Sequence, residues 1–214
     1  MSGGRDALLR DGAQAMGVGL SEAQFHKLQA YGDLILKWNK VYNLTALRTP
    51  EQVLTHHLLD SLSVLPPLVR QCPDATRLLD VGSGAGLPGA VLAIVRPGLS
   101  VSCVDAVAKK AAFIRQVSAE LDLPQLNGRH ARVETMSGRF DVICSRAFAS
   151  LTDFVAGSEH LLAPDGVWMA MKGRAPDDEI AALPPSAQVF HVEQLTVPGL
   201  DAERCIVWMR KAAP

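Results

Sequence analysis

The spacing of apolar residues divides the chain near residue 76. Before that point, apolar side chains recur every three or four residues, which indicates amphipathic helices. A first predicted helix presents one apolar face: Phe25, Leu28, Tyr31, Ile35, Trp38 and Tyr42. Ser21 caps this helix, and a second helix is predicted from Thr49, with Gln52 completing a capping box and Pro66-Pro67 ending the helix. Two such helices cannot enclose a core alone, so residues 1–70 are predicted to be a helical cap packed on the rest.

From Thr76 the pattern changes to short, nearly continuous apolar runs separated by helical segments. Seven strands are predicted, near residues 77–81, 99–104, 127–131, 140–144, 166–171, 189–194 and 205–209. Helices are predicted over residues 88–95, 108–121 and 151–162. This alternation is typical of a parallel sheet covered on both faces, and the last two strands, which lack a helix between them, predict an antiparallel edge hairpin. Residues 71–214 therefore form one predicted α/β domain, with a Rossmann-like, mostly parallel seven-stranded sheet.

Composition narrows the class of protein without naming it. The 214 residues are 48% hydrophobic, which suits one domain with an appendage. A net charge of -1 argues against a protein that coats nucleic acid indiscriminately, but it does not exclude a nucleic-acid substrate, because local patches set the field at a site. No apolar run is long enough to span a bilayer and no secretory signal is apparent, so we expect a cytoplasmic protein without a membrane partner. Cys72, Cys103, Cys144 and Cys205 show no metal-binding spacing, and we expect reduced thiols and no metal.

A glycine-rich turn follows the first predicted strand. The segment running from Asp80 to Gly89 contains Gly82, Gly84 and Gly86, and such a turn lets the backbone approach a ligand closely. In an open parallel sheet this turn lies at the carboxyl ends of the strands, where ligands bind. Residues 84–89 also match GxGxxG, so a dinucleotide site is an alternative.

Two acidic residues favour one ligand over the other. Asp80 and the additional Gly82 precede the GxGxxG match, and a carboxylate facing the ligand would repel a pyrophosphate. Asp105, which ends the second strand, can accept hydrogen bonds from both hydroxyls of a ribose. Together these residues favour S-adenosyl-L-methionine, a cationic nucleoside, over NAD. An NAD-dependent oxidoreductase remains the alternative from another class.

Several further segments, spread over most of the chain, can be compared with known families together with the glycine turn. They are Lys37-Trp-Asn-Lys-Val-Tyr-Asn-Leu-Thr45, His57-Leu-Leu-Asp-Ser61, Asp80–Gly89, Ile94-Val-Arg-Pro97, Arg132-Val-Glu134, Ser145-Arg-Ala-Phe-Ala-Ser150 and Asp201–Arg204. With them the sequence resembles the small-subunit ribosomal RNA methyltransferase G family, also named glucose-inhibited division protein B. The resemblance implies methyl transfer to N7 of one guanine in 16S rRNA, with the rRNA or the small ribosomal subunit as the partner. We also expect the protein to be a monomer.

The resemblance also implies roles for individual residues. Cofactor contacts are expected from Gly82, Leu87, Val133, Glu134 and Arg146, in addition to Asp80, Gly84, Gly86 and Asp105. Basic residues suited to RNA are expected at Lys109, Arg132 and Arg204. Cys205 stands where the family is expected to have histidine, which puts a role for that neighbour of Arg204 in doubt.

The sequence contains no motif for a general base or a covalent nucleophile, and methylation at guanine N7 needs neither. N7 carries a lone pair and no proton, so its attack on a sulfonium methyl needs alignment rather than a general base. No acid/base or covalent catalytic residue is therefore expected, and Arg146 is given a positioning role. Phe148 is expected to stack on the target base, because RNA-binding enzymes read unstacked bases with aromatic side chains. Methylation of a small molecule or a protein remains an alternative.

Overall fold

The N-terminal part of the chain is helical. The computed structural model describes residues 2–146, 148 and 150–212. Its first helices are α1 (Ser2–Ala15), α2 (Glu22–Tyr42), α3 (Pro50–Val53), a π-helical segment (Leu54–Leu59), α4 (Asp60–Leu62) and α5 (Leu65–Gln71). The caps agree with the sequence, because Ser21 and Thr49 each form a capping box with the glutamine three residues later. Pro66 and Pro67 differ from expectation: they lie in the first turn of α5 rather than ending a helix, since a first turn tolerates missing N–H groups.

A seven-stranded sheet forms the centre of the molecule. Its strands are β1 (Arg77–Val81), β2 (Ser100–Asp105), β3 (Leu126–His130), β4 (Phe140–Arg146), β5 (Leu162–Lys172), β6 (Ala187–Leu195) and β7 (Arg204–Lys211). The spatial order is β3-β2-β1-β4-β5-β7-β6, with β1 to β5 parallel. β7 inserts antiparallel between β5 and β6, which confirms the predicted antiparallel edge pair. The carboxyl ends of β1 to β5 therefore share one edge with the beginning of β7.

Helices cover both faces of this sheet. The remaining helices are α6 (Gly89–Val95), α7 (Ala108–Glu120), α8 (Leu151–Ser158) and α9 (Asp177–Ala181), with single 3-10 turns at Val133–Thr135 and Glu159–Leu161. On one face α6, α7 and the N-terminal helices share a hydrophobic cluster with Leu78 and Val101. On the other face α8 packs on Leu79 and Ile143. Alternate residues of each strand thus point into different cores.

The N-terminal helices are joined to the sheet layer by polar contacts as well as by packing. The buried Tyr31 hydroxyl of α2 donates to the Ala85 carbonyl over 2.6 Å, inside the glycine turn. The Gln24 side chain donates to the Val95 carbonyl at the end of α6 over 3.0 Å. Trp38 contacts Phe113 of α7, with ring centroids 5.3 Å apart. The turn after β1 is therefore supported from behind by α2.

Candidate functional site

The glycine turn connects β1 to α6 and needs its glycines for two reasons. Gly82, Gly84 and Gly86 have φ angles of 64°, 60° and 88°, which other residues rarely adopt. Gly89 is required by space instead: a side-chain carbon there would lie 2.6 Å from the Cys103 sulfur and 2.8 Å from Asp80 Oδ2. The turn can thus run close to β2, where the Gly82 N–H donates to the Val104 carbonyl over 2.9 Å.

The structure corrects the expected direction of Asp80. Its side chain is completely buried, and Oδ2 accepts the Gly89 N–H over 2.9 Å, behind the turn. The physical reason is the alternation of β1, which sends Asp80 to the same face as Leu78, toward α6. Burial raises the pKa of Asp80 to about 7, although the Gly89 hydrogen bond opposes this shift. The charge argument that favoured a cationic ligand therefore rests on Asp105.

Asp105 lies where its position at the end of β2 predicts. Its Oδ2 accepts the Gly84 N–H over 3.0 Å, and its Oδ1 accepts the Val107 N–H over 2.8 Å. The Lys110 ammonium lies 3.5 Å from Oδ2. Each carboxylate oxygen has two acceptor sites, so these contacts fix the side chain and leave capacity for a ligand.

A cleft opens beside Asp105, between the ends of β1, β2 and β3. This turn cleft is lined by Gly82, Asp105, Arg132, Val133, Glu134 and Phe148, among others. Phe148 Cδ2 lies 3.7 Å from where a side-chain carbon on Gly82 would be, and the ring packs on Phe154. The structure thus brings together four predicted cofactor residues with Arg132 and Phe148, both of which were predicted to contact RNA.

The other predicted residues of the turn, and Lys109 of α7, do not line this cleft. Gly86 and Leu87 are buried, and a side-chain carbon on Gly86 would be 2.8 Å from Ile114 Cδ1. Gly84 contributes its N–H to Asp105. Lys109 is exposed in the first turn of α7. Of the predicted glycines of the turn, Gly82 is therefore the one that lines the cleft.

Arg146 points into a second cleft, over the ends of β4, β5 and the beginning of β7. This arginine cleft is lined by Leu47, His57, Asp60, Arg146, Lys172 and Arg204, among others. Arg146 Nη1 donates to Asp60 Oδ2 over 3.0 Å and to the His56 carbonyl over 2.9 Å. The guanidinium predicted to complete the cofactor pocket is instead bound to the π-helical segment and to α4.

His57 is held in its neutral form within the arginine cleft. Burial, followed by the nearby charge of Arg146, lowers the pKa of His57 to about 4. Its Nε2 is 2.8 Å from the Thr45 hydroxyl and its Nδ1 is 3.2 Å from Arg146 Nη2. Nδ1 also lies 3.0 Å from the His56 carbonyl, so both ring nitrogens of His57 are engaged.

Comparison with known proteins identifies the family of this chain. A profile of the GidB family, described as rRNA small subunit methyltransferase G, matches residues 24–207. The chain belongs to the GidB family. It is 60% identical over 214 residues to the ribosomal RNA small subunit methyltransferase G of Acidovorax sp. (strain JS42), covering 96% of this chain and 95% of that protein. It is 61% identical over 208 residues to the protein of the same name from Leptothrix cholodnii, covering 96% and 95%.

Solved structures support the fold alone. TrmN from Thermus thermophilus matches with a TM-score of 0.58 at 20% identity, over 74% of this chain and 53% of that one. The glycopeptide N-methyltransferase MtfA matches with a TM-score of 0.59 at 11% identity, over 70% and 95%. The fold of the GidB chain is thus the class I methyltransferase fold that the sequence predicted.

Three residues at or behind the two clefts had no functional role predicted from the sequence. Tyr31 was assigned to a core face, yet its hydroxyl holds the glycine turn. Asp60 occurs in a quoted motif without a role, yet it binds two arginines; a carboxylate inside the apolar run 58–62 was the available signal. Lys172, which ends β5, pairs with Glu179 over 2.8 Å, and no sequence signal indicated that pair.

Two further observations bear on chemistry. Among residues 2–146, 148 and 150–212, no cluster of three or more histidine, cysteine or acidic side chains is arranged to hold a metal ion. The four cysteines are free thiols. Within the same described residues, no helix combines the length and apolar character needed to cross a membrane.

Proposed function

We propose that this GidB-family chain transfers the methyl group of S-adenosyl-L-methionine to N7 of a guanine in 16S rRNA of the small ribosomal subunit. Family membership supports an rRNA methyltransferase, and the names of its relatives support the small subunit as substrate. The single observation that carries the cofactor assignment is Asp105, fixed beside the glycine turn at the end of β2.

The turn cleft suits the nucleoside part of this cofactor. The Asp105 carboxylate would accept hydrogen bonds from the ribose hydroxyls, as acidic residues at the end of a second strand do in related folds. Val133 and Phe148 offer apolar surface for the adenine, and the exposed Glu134 carboxylate can accept from its amino group. The position of Phe148 over Gly82 supports a cofactor contact in place of the base stacking expected from the sequence.

The arginine cleft suits the base that accepts the methyl group. It lies over β4, the strand next to β1, so a base there would approach a methyl group held at the turn. Three acidic or histidine side chains line it among the described residues. Asp60 binds two arginines, and His57 contacts Thr45 and Arg146. The Nδ1 atom of the third, His56, lies 2.7 Å from the Thr55 hydroxyl. A site with these groups engaged fits a nucleophile such as N7, which has no proton to remove. What the residues supply is alignment and a desolvated surface.

RNA contacts are proposed from Lys109, Arg132 and Arg204. Lys109 and Arg132 are exposed, and among the described residues neither side chain has a hydrogen bond or an ion pair. Free guanidinium and ammonium groups near the cleft would bind phosphates. Because the major groove of A-form RNA is too deep and narrow for a side chain, the target guanine must lie in a loop or turn out of its stack.

Transfer of label tests this proposal directly. The protein is incubated with methyl-labelled S-adenosyl-L-methionine and either naked 16S rRNA or small subunits, and the labelled nucleotide is mapped. We expect label at N7 of one guanine. Label in a protein or a metabolite, with none in either form of RNA, would refute the proposal, and tight binding of NAD without binding of S-adenosylhomocysteine would favour the oxidoreductase alternative.

A further inference from the structure

The two arginines of the arginine cleft are joined by one buried carboxylate. Asp60 is 1% exposed; its Oδ2 accepts from Arg146 Nη1 over 3.0 Å and its Oδ1 accepts from Arg204 Nε over 2.7 Å. Each oxygen therefore holds a different guanidinium. The two arginine side chains are only about a quarter exposed, so their charges are strongly coupled to that of Asp60.

The sheet topology explains why a bridge is needed there. Arg146 is the last residue of β4 and Arg204 the first of β7, and these strands are separated by β5. Two strand spacings place their backbones about 10 Å apart. Register puts Arg146 beside Met171 and Cys205 beside Lys172, so both guanidinium groups start from the same edge. Without a carboxylate between them, two like charges would separate.

The charge of the cleft follows from the same contacts. One carboxylate between two guanidinium groups leaves a net charge of +1. Lys172, which also lines the cleft, is neutralised by Glu179, which it contacts at 3.0 and 2.8 Å. Arg204 Nη1 donates to the Glu203 carbonyl over 2.8 Å, which leaves Nη2 of this 24% exposed side chain to bind an anion.

We propose that Asp60 is a positioning residue that holds Arg146 and Arg204 across the end of β5, so that their residual positive charge binds a backbone phosphate beside the target guanine. This inference rests on the proposed function, because it assigns the arginine cleft to RNA. It gives the N-terminal helices a role in catalysis, since Asp60 belongs to α4 and lies 86 residues before Arg146 and 144 before Arg204.

The first test is Asp60→Asn. The amide has nearly the same shape, but its oxygen can accept from only one arginine and its NH₂ group would face the donors of the other. We expect kcat/KM for small subunits to fall tenfold or more, while the Kd of S-adenosylhomocysteine changes less than twofold. A merely structural role would lower cofactor affinity and melting temperature together, and a simple charge effect would instead tighten RNA binding. Either result would overturn the proposal.

Controls and a second variant keep the test decisive. Asp33→Asn changes an exposed aspartate of α2, the side chain of which is 71% exposed, and is expected to leave all values unchanged. Arg204→Gln removes the more exposed arginine and should reduce the salt dependence of subunit binding by about one phosphate contact. An unchanged salt slope would contradict the proposal, even if Asp60→Asn fails to fold. Asp60→Asn combined with Arg204→Gln should lose less activity than the product of the single losses.

The wild-type protein separates this inference from the proposed function. If the wild type places no label in naked 16S rRNA or in small subunits, the proposed function has failed. If it labels a guanine and Asp60→Asn behaves like the wild type, only the positioning role has failed.

Discussion

The turn cleft and the arginine cleft lie at the same edge of the sheet but are built differently. One side of the turn cleft is formed by residues 81–82 and 104–106, where Asp105 accepts hydrogen bonds from two backbone N–H groups. The arginine cleft is shaped by side chains from the N-terminal helices, β4 and β7, joined through Asp60. Short-range backbone geometry gives a fixed binding surface, whereas a charged bridge between distant segments depends on every partner being present.

The largest expected effect is on the turn cleft, from Gly89→Ala. The added carbon would lie 2.6 Å from the Cys103 sulfur and 2.8 Å from Asp80 Oδ2, in a buried position where neither can move freely. We expect a loss of about 3 kcal/mol in the free energy of unfolding, because overpacking a core costs that order. Chemical denaturation measures it. The control is Gly98→Ala, which meets nothing within 4 Å and should change stability by less than about 1 kcal/mol. Equal effects of the two substitutions would mean that the turn can shift to accommodate a side chain at Gly89.

Asp105→Ala should have the next largest effect, on cofactor binding. The substitution removes the acceptor of the Gly84 and Val107 N–H groups and the proposed acceptor of the ribose. A loss of about 2 kcal/mol, or roughly thirtyfold in the Kd of S-adenosylhomocysteine, is expected from hydrogen bonds to a charged group. Calorimetry measures it, with the exposed Asp165→Ala as the matched control. Unchanged affinity would count against placing the ribose in the turn cleft.

The smallest expected effect comes from Tyr31→Phe, which tests how far the N-terminal helices support the turn cleft. The Ala85 carbonyl would lose a buried donor at 2.6 Å, which costs about 1 kcal/mol. For a chain of this length, that loss lowers the melting temperature by about 2–4 °C. Tyr42→Phe is the control, because Tyr42 is 40% exposed and should show no such shift. If the two variants have the same melting temperature, α2 supports the turn through packing alone.

Features that depend on residues close together in the sequence could be predicted, and features that depend on tertiary packing could not. The capping boxes at Ser21 and Thr49 were predictable because each depends on residues three positions apart. The position of Asp105 was predictable because it follows the last residue of an apolar strand beside the glycine turn. The direction of Asp80 was not, since two faces of β1 are buried and apolar neighbours on both sides conceal which face a side chain takes.

The sequence by itself determined the order of strands and helices, the glycine turn and membership of the GidB family. These depend on local periodicity, on backbone angles that glycine permits, and on motifs that are contiguous in the chain. Only the tertiary structure decided that Tyr31 holds the turn and that Asp60 joins Arg146 to Arg204. Those contacts span 54, 86 and 144 residues, and such pairs are set by how helices and strands pack rather than by any pattern along the chain.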